Sequence, residues 1–168
     1  MAVDDEVMNA LRQEFAALKD LAERAVAQLD DEAFFATLDA DANSVAILMK
    51  HIGGNLRSRW TDPFTTDGEK PDRNRDAEFE QGPEESREAI ERRWREGWSV
   101  LFDTLEHASA ADLTRPVRIR GQELSFARAL TRSLAHTAGH VHQIVMLAKH
   151  WRGSAWQTLS LPRRASRP

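Results

Sequence analysis

The amino-acid sequence predicts an all-α protein, a four-helix bundle, and three observations carry that expectation. Apolar residues recur at three- and four-residue steps in four long segments, the joints between them are rich in Asp, Gly and Pro, and nothing supplies the strands of a parallel sheet. At ~150 residues per domain the 168 residues make one domain, residues 1–168, able to bury roughly two thirds of its unfolded surface.

Val7, Leu11, Phe15, Leu18, Leu21, Ala25 and Leu29 fall on one face of a segment free of Gly and Pro, which predicts a first helix from Asp4 to Leu29. An Asp-rich turn follows. Asn43 or Ser44 can then cap a second helix carrying Val45, Leu48, Ile52, Leu56 and Trp60 and ended by Asp62-Pro63. Gly53 and Gly54 interrupt it; each costs about 1 kcal/mol against Ala, so close approach by a neighbouring helix or a ligand is the expected reason for them.

From Asp67 to Glu96 eighteen of thirty residues are charged, and the first half, with almost no apolar residue except Phe79, reads as a solvated loop or lid. Pro83 suits the first turn of a third helix. Glu84, Glu85 and Glu88 complement its dipole, Ile90, Trp94, Trp98, Leu101 and Leu105 form its buried stripe, and it ends near His107. Alternation from Pro116 to Leu124 around Gly121 predicts a small hairpin joining helices three and four. The fourth helix runs from Ser125 to Trp151, stops at Arg152-Gly153 and leads to a basic tail with Arg163, Arg164 and Arg167.

Composition removes several function classes. With no Cys there is no disulfide, thiolate nucleophile, iron–sulfur cluster or Cys-based zinc site, so any metal is held by His, Asp or Glu. A net charge of -4 has the wrong sign for a domain that binds phosphate backbones, so no nucleic-acid partner is expected. The longest stretch without formal charge, Ser133 to Ala148, is short of the ~18 apolar residues of a membrane span and holds three histidines. The early acids Asp4, Asp5, Glu6, Glu14 and Asp20 do not resemble a secretory signal, which predicts a cytoplasmic protein. Five Trp in so small a chain exceed what one bundle core readily hides and favour a homodimer. No G-x-S-x-G elbow, phosphate-binding Walker loop or dinucleotide fingerprint is present.

The histidines carry the most chemistry. His136 and His140 lie one turn apart on the fourth helix, about 6 Å between Cβ atoms, within an uncharged segment, and so form either a metal pair or two ordinary hydrogen-bonded histidines. Two imidazoles seldom hold a divalent ion alone. His51, in the middle of the second helix, is the best third ligand, against the plainer reading of a His bonded to a helix carbonyl. His107, His142 and His150 fit no such role. The residues three before His51, His136 and His140 are Leu48, Ser133 and Thr137, so the Glu-x-x-His repeats of di-iron bundles are absent and a mononuclear site is expected. Three imidazoles with an open position suit zinc or nickel.

The stretch KHIGGNLRSRWTDPFTTDGEKPDRNRD from Lys50 to Asp76, together with HTAGHVHQIVMLAKHWRGSAWQTLSLPR from His136 to Arg163, resembles a bacterial family of unknown function in the DinB/YfiT-like superfamily. That resemblance implies a four-helix bundle, usually dimeric, with one divalent metal held by a His of helix two and a His-x-x-x-His pair of helix four; those positions here are His51, His136 and His140. His142 stands where a small residue is expected. Characterised relatives in the superfamily include enzymes that use a low-molecular-weight thiol, such as mycothiol- or bacillithiol-dependent transferases and isomerases. The implied activity is therefore metal-dependent transfer or hydrolysis with a diffusible thiol or water, and the alternative is a noncatalytic metal- or ligand-binding bundle. Asn55 and Gln143 can orient the ligands or a water, or make ordinary interhelical hydrogen bonds. Arg57, Arg59, Arg73 and Arg75 can recognise an anionic small-molecule substrate, or belong to a solvated face.

Overall fold

The computed structural model describes residues 3–82 and 85–161. Five α-helices and one antiparallel hairpin are found among them: α1 (Val3–Val26), α2 (Asp31–Phe35), α3 (Val45–Trp60), α4 (Arg87–His107), β1 (Pro116–Ile119), β2 (Gln122–Ser125) and α5 (Phe126–Arg152). The fold is mostly helical. Along their lengths α3 pairs with α4 and α1 with α5, while α3 also meets α5. Their facing sides bury Met8, Phe15, Leu48, Ile52, Leu56, Trp94, Trp98, Leu101, Phe126 and Ile144 in one core. Phe15, Trp94 and Trp98 meet edge to face there, as aromatic quadrupoles prefer. No helix of the described residues is long and apolar enough to cross a membrane.

Local chemistry starts and stops these helices, at the expected signals for α3 and α5 and at Ser86, which the sequence reading did not single out, for α4. Ser44, Ser86 and Ser125 each accept a hydrogen bond from the backbone N–H three residues on, capping α3, α4 and α5. Gly153, at φ 53, ends α5 in a conformation a Cβ would strain.

Several expectations change. α1 stops at Val26 rather than Leu29, and Asp30 caps the short α2, where a turn is expected from the sequence. Val7 is exposed, so its place on the buried stripe of α1 is taken by Met8. α4 begins at Arg87, after Pro83 and Glu84, which lie outside the described residues, as does the tail with Arg163, Arg164 and Arg167. Glu85 precedes the helix and pairs with the buried Lys50 at 2.7 Å instead of lying in the first turn. The tryptophan count loses its force too, because Trp60, Trp94 and Trp98 are buried and Trp151 and Trp156 partly so.

The largest change concerns the charged connection between α3 and α4, which is folded rather than a solvated loop. Ser58 donates to the Gly68 carbonyl at 2.8 Å and accepts from the Lys70 N–H at 3.1 Å, and Arg59 donates to the same carbonyl. The hairpin turns at Arg120-Gly121, both at positive φ (53 and 73), the geometry whose twist suits a two-residue hairpin loop. Asp67 accepts the N–H groups of both turn residues, at 2.8 and 2.7 Å, and Gly68 donates to the Arg118 carbonyl at 2.7 Å. Connection and hairpin are therefore one unit, braced against α3.

Gly53 and Gly97 set the spacing of α3 and α4. A Cβ on Gly97 would stand 2.3 Å from the Gly53 carbonyl oxygen, and one on Gly53 would stand 2.7 Å from the Arg93 carbonyl oxygen. Backbone cannot yield as a side-chain tip does. Gly97→Ala is therefore expected to cost about 1–3 kcal/mol through overpacking, even though Ala is the better helix former. Gly139→Ala, in α5 with nothing within 4 Å of the added Cβ, is expected to gain up to about 1 kcal/mol. Urea unfolding of the two variants checks both signs.

Candidate metal centre

Three histidines converge between α3 and α5. His51 is buried at the middle of α3, and His136 and His140, one turn apart on α5, face it with ring centroids 5.1 and 5.0 Å from its own. One ligating nitrogen from each lies within 4.8 Å of the others, and no fourth His, Asp or Glu joins the group among the described residues. The Nε2 atoms of His51 and His136 are 3.1 Å apart. Two nitrogens bound to one tetrahedral ion at 2.0–2.1 Å stand roughly 3.3 Å apart, so the donor set fits a divalent metal with little movement.

Neighbouring acceptors fix which nitrogen is free. Nδ1 of His51 lies 2.8 Å from Oε2 of Glu78, and an ionised carboxylate only accepts, so Nδ1 carries a proton and, in the neutral ring, Nε2 is the ligating nitrogen. Gln143 does the same for His140, its Oε1 lying 2.8 Å from Nδ1. Burial, with repulsion from His140 and His51 behind it, pushes the pKa of His136 down to about 4. His140 is also lowered, by burial and by His51, partly offset by its bond to Gln143. Both are neutral near pH 7, so a metal displaces no proton from them.

Glu78 is the residue sequence reasoning missed. Burial opposes its charge, but hydrogen bonds from Arg73 and His51 outweigh burial and hold its carboxyl below the usual carboxylate range. Arg73 grips both oxygens, at 2.8 and 2.7 Å, the bidentate geometry a guanidinium provides. Gly54 leaves the room: a Cβ there would stand 2.3 Å from Glu78 Oε1. The double glycine was thus the available signal, since Gly53 admits α4 and Gly54 admits this carboxylate. The next residue, Phe79, lies against the His51 ring at 4.5 Å, with the Arg75 guanidinium 5.0 Å from its centroid.

The other residues singled out from sequence are distributed as follows. Gln143 reaches the triad directly, whereas Asn55 lines the adjacent cleft without bonding to a histidine. Arg59 is tied to Gly68 and Glu69, and Arg73 to Glu78, with both also lining that cleft. Arg57 is exposed, pairs with Asp72 at 3.3 Å and faces a separate cleft on the far side of Glu78. His142 bonds to the Ala138 carbonyl, away from the triad.

Fold and site together define a helical protein with a three-histidine, metal-capable centre open on one side. The chain belongs to a family described as a protein of unknown function (DUF1572), which matches residues 2–165. No curated protein matches it.

Removing the carboxylate that orients a ligating His typically weakens metal affinity 10- to 100-fold. Glu78→Gln is expected to show a loss of about that size in competition with a chromogenic chelator. Gly54→Ala, which displaces the same carboxylate without removing it, should weaken affinity in the same assay. Unchanged affinity in both variants would detach Glu78 from the site.

Proposed function

We propose that this chain is a cytoplasmic, metal-dependent transferase or hydrolase, a four-helix bundle of the DinB/YfiT-like superfamily that holds one zinc or nickel ion through His51, His136 and His140. The observation that carries the proposal is the pairing of three ligating nitrogens, without a fourth protein ligand among the described residues, with a cleft of about 410 Å³ lined by His51 and His136. A structural tetrahedral site normally closes with a fourth protein ligand, and a catalytic one keeps a position for reactant.

Bound there, the ion would supply Lewis acidity, lowering the pKa of an incoming thiol or water. Glu78 and Gln143 keep two of the three rings aimed and in the ligating tautomer. With no Cys in the chain, the nucleophile comes from outside: a low-molecular-weight thiol, as the superfamily resemblance implies, or water. Asn55 presents a cleft-lining amide able to hold it or the substrate.

The second reading, a noncatalytic metal- or ligand-binding bundle, is favoured by one observation: His51 and the His pair stand on different helices, so an ion there cross-links α3 and α5. We propose a homodimer on the superfamily resemblance alone, with sedimentation at high concentration as its check.

Purified protein is expected to hold about one divalent ion per chain by metal analysis, and His51→Ala or His136→Ala to lose most of it. Full occupancy in His136→Ala would discard the triad. Turnover of a small electrophile with a thiol, or of a hydrolysable ester or amide, should stop on chelation and return when zinc or nickel is restored. Metal that stabilises the fold without any chelator-sensitive turnover would move the conclusion to the binding-protein reading.

A further inference from the structure

The cleft beside the triad has a charge that the rest of the chain does not. Acidic residues outnumber basic ones 27 to 23 overall, yet five guanidiniums, from Arg59, Arg73, Arg75, Arg120 and Arg132, line this cleft and no carboxylate does. Two carboxylates stand behind the arginines. Glu69 is shared by Arg59, Arg73 and Arg120, at 3.0, 3.4 and 2.6 Å, and Glu78 is held by Arg73 and His51. Five charges against these two and the exposed Asp76 beside Arg75 leave two uncompensated.

Two arginines are free to meet a ligand. Arg132 is exposed and has neither ion pair nor hydrogen bond among the described residues; Arg75 has one ion pair, at 3.5 Å, to an Asp76 that is itself 91% exposed. Arg132 also occupies a defined place. It precedes His136 by four residues on α5, hence one turn away on the same face, roughly 6 Å along the cleft. The hairpin closes the far side with Ile119 and Gln122, and Asp67 fixes its turn, so this wall is built rather than adventitious.

We infer that this cleft binds a small substrate through an anionic head group, a carboxylate or phosphate, with Arg132 as its principal anchor and Arg75 beside it. The inference rests on the metal-centre reading for where the reacting atom sits: the substrate's electrophilic atom lies about one helix turn, ~6 Å, from its anionic group. Guanidinium forks match both head groups, and the surrounding uncompensated charge raises the local concentration of either. Arg59 gains as well, because burial and repulsion from Arg73 and Arg120 now disfavour its cation, and an anion relieves that repulsion.

The test uses the full chain freed of metal, at low ionic strength, titrated calorimetrically with inorganic phosphate and separately with acetate. At least one anion is expected to saturate a single site per chain, and the stronger of the two identifies the head group. Arg132→Gln should weaken it about tenfold, the size of a lost charged hydrogen bond, Arg132→Lys should recover part, and Arg128→Gln, exposed on the same helix outside the cleft, should change it less than twofold. No saturable site in the unsubstituted chain, or equal losses in Arg128→Gln and Arg132→Gln, would overturn the inference. Zinc titration of the same samples separates the two readings. Zinc bound equally with and without Arg132 while no anion binds removes only the anion site; anion bound specifically while zinc does not bind removes only the metal centre.

Discussion

A single buried carboxylate organises this protein's site. Glu78 sits between the guanidinium of Arg73 and the imidazole of His51, all three largely or wholly buried. Removing one partner of such a pair typically costs about 3–5 kcal/mol, because the remaining charge stays out of water without compensation. That asymmetry lets so polar a segment hold a fixed course. The connection between α3 and α4 has few apolar side chains to bury, and what fixes it instead is a chain of charge-assisted bonds from Glu78 to Arg73, Glu69, Arg59 and Arg120. The same chain reaches the hairpin through Arg120, so the ligating ring of His51 and the far wall of the cleft belong to one electrostatic network.

Much of the architecture was legible from the sequence because its signals are local. The Ser44 and Ser125 starts, the Gly153 stop and the 3.6-residue periodicity of α3, α4 and α5 are decided within a turn or two of chain. The hairpin declared itself through alternation around Gly121. The triad was legible for a similar reason: His136 and His140 share a helical face at fixed spacing, and His51 is a polar residue at the middle of α3, one turn after the apolar Ile47. The connection was not. Its composition is that of a solvated segment, and although Arg73 pairs with Glu78 and Glu69 nearby in the chain, the contacts that bury Glu78 are made with His51 and Gly54 of α3, outside any sequence window. Charge count describes how much water a segment wants, whereas burial here depends on which opposite charges meet. The short α2 escaped notice for a different reason, since five residues are too few to display a helical period.

Arginine roles illustrate the same limit. Sequence places Arg57, Arg59, Arg73 and Arg75 in one neighbourhood, but the structure divides them by partner. Arg73 and Arg59 are positioning groups within the network, Arg75 covers Phe79 on the His51 ring, and Arg57 faces the opposite cleft. Arg120 and Arg132 arrive from the hairpin and α5, more than forty residues later, and no neighbourhood in sequence groups them with the others.

Packing and chemistry meet most tightly on α3. Gly53 and Gly54 are successive residues, about 100° apart around the helix, so they look in different directions: one receives the backbone of α4, the other the carboxylate of Glu78. His51 lies two and three residues before them on the same short run. The α3–α4 spacing fixed at Gly53 and Gly97 thus also sets where α3 presents Gly54, and through it how closely Glu78 can approach His51. A helix interior that carries two glycines gives up roughly 2 kcal/mol of propensity relative to alanine. Here that loss has two separate compensations, one in the core and one at the metal-capable centre, which is why neither glycine can be understood from helix propensity alone.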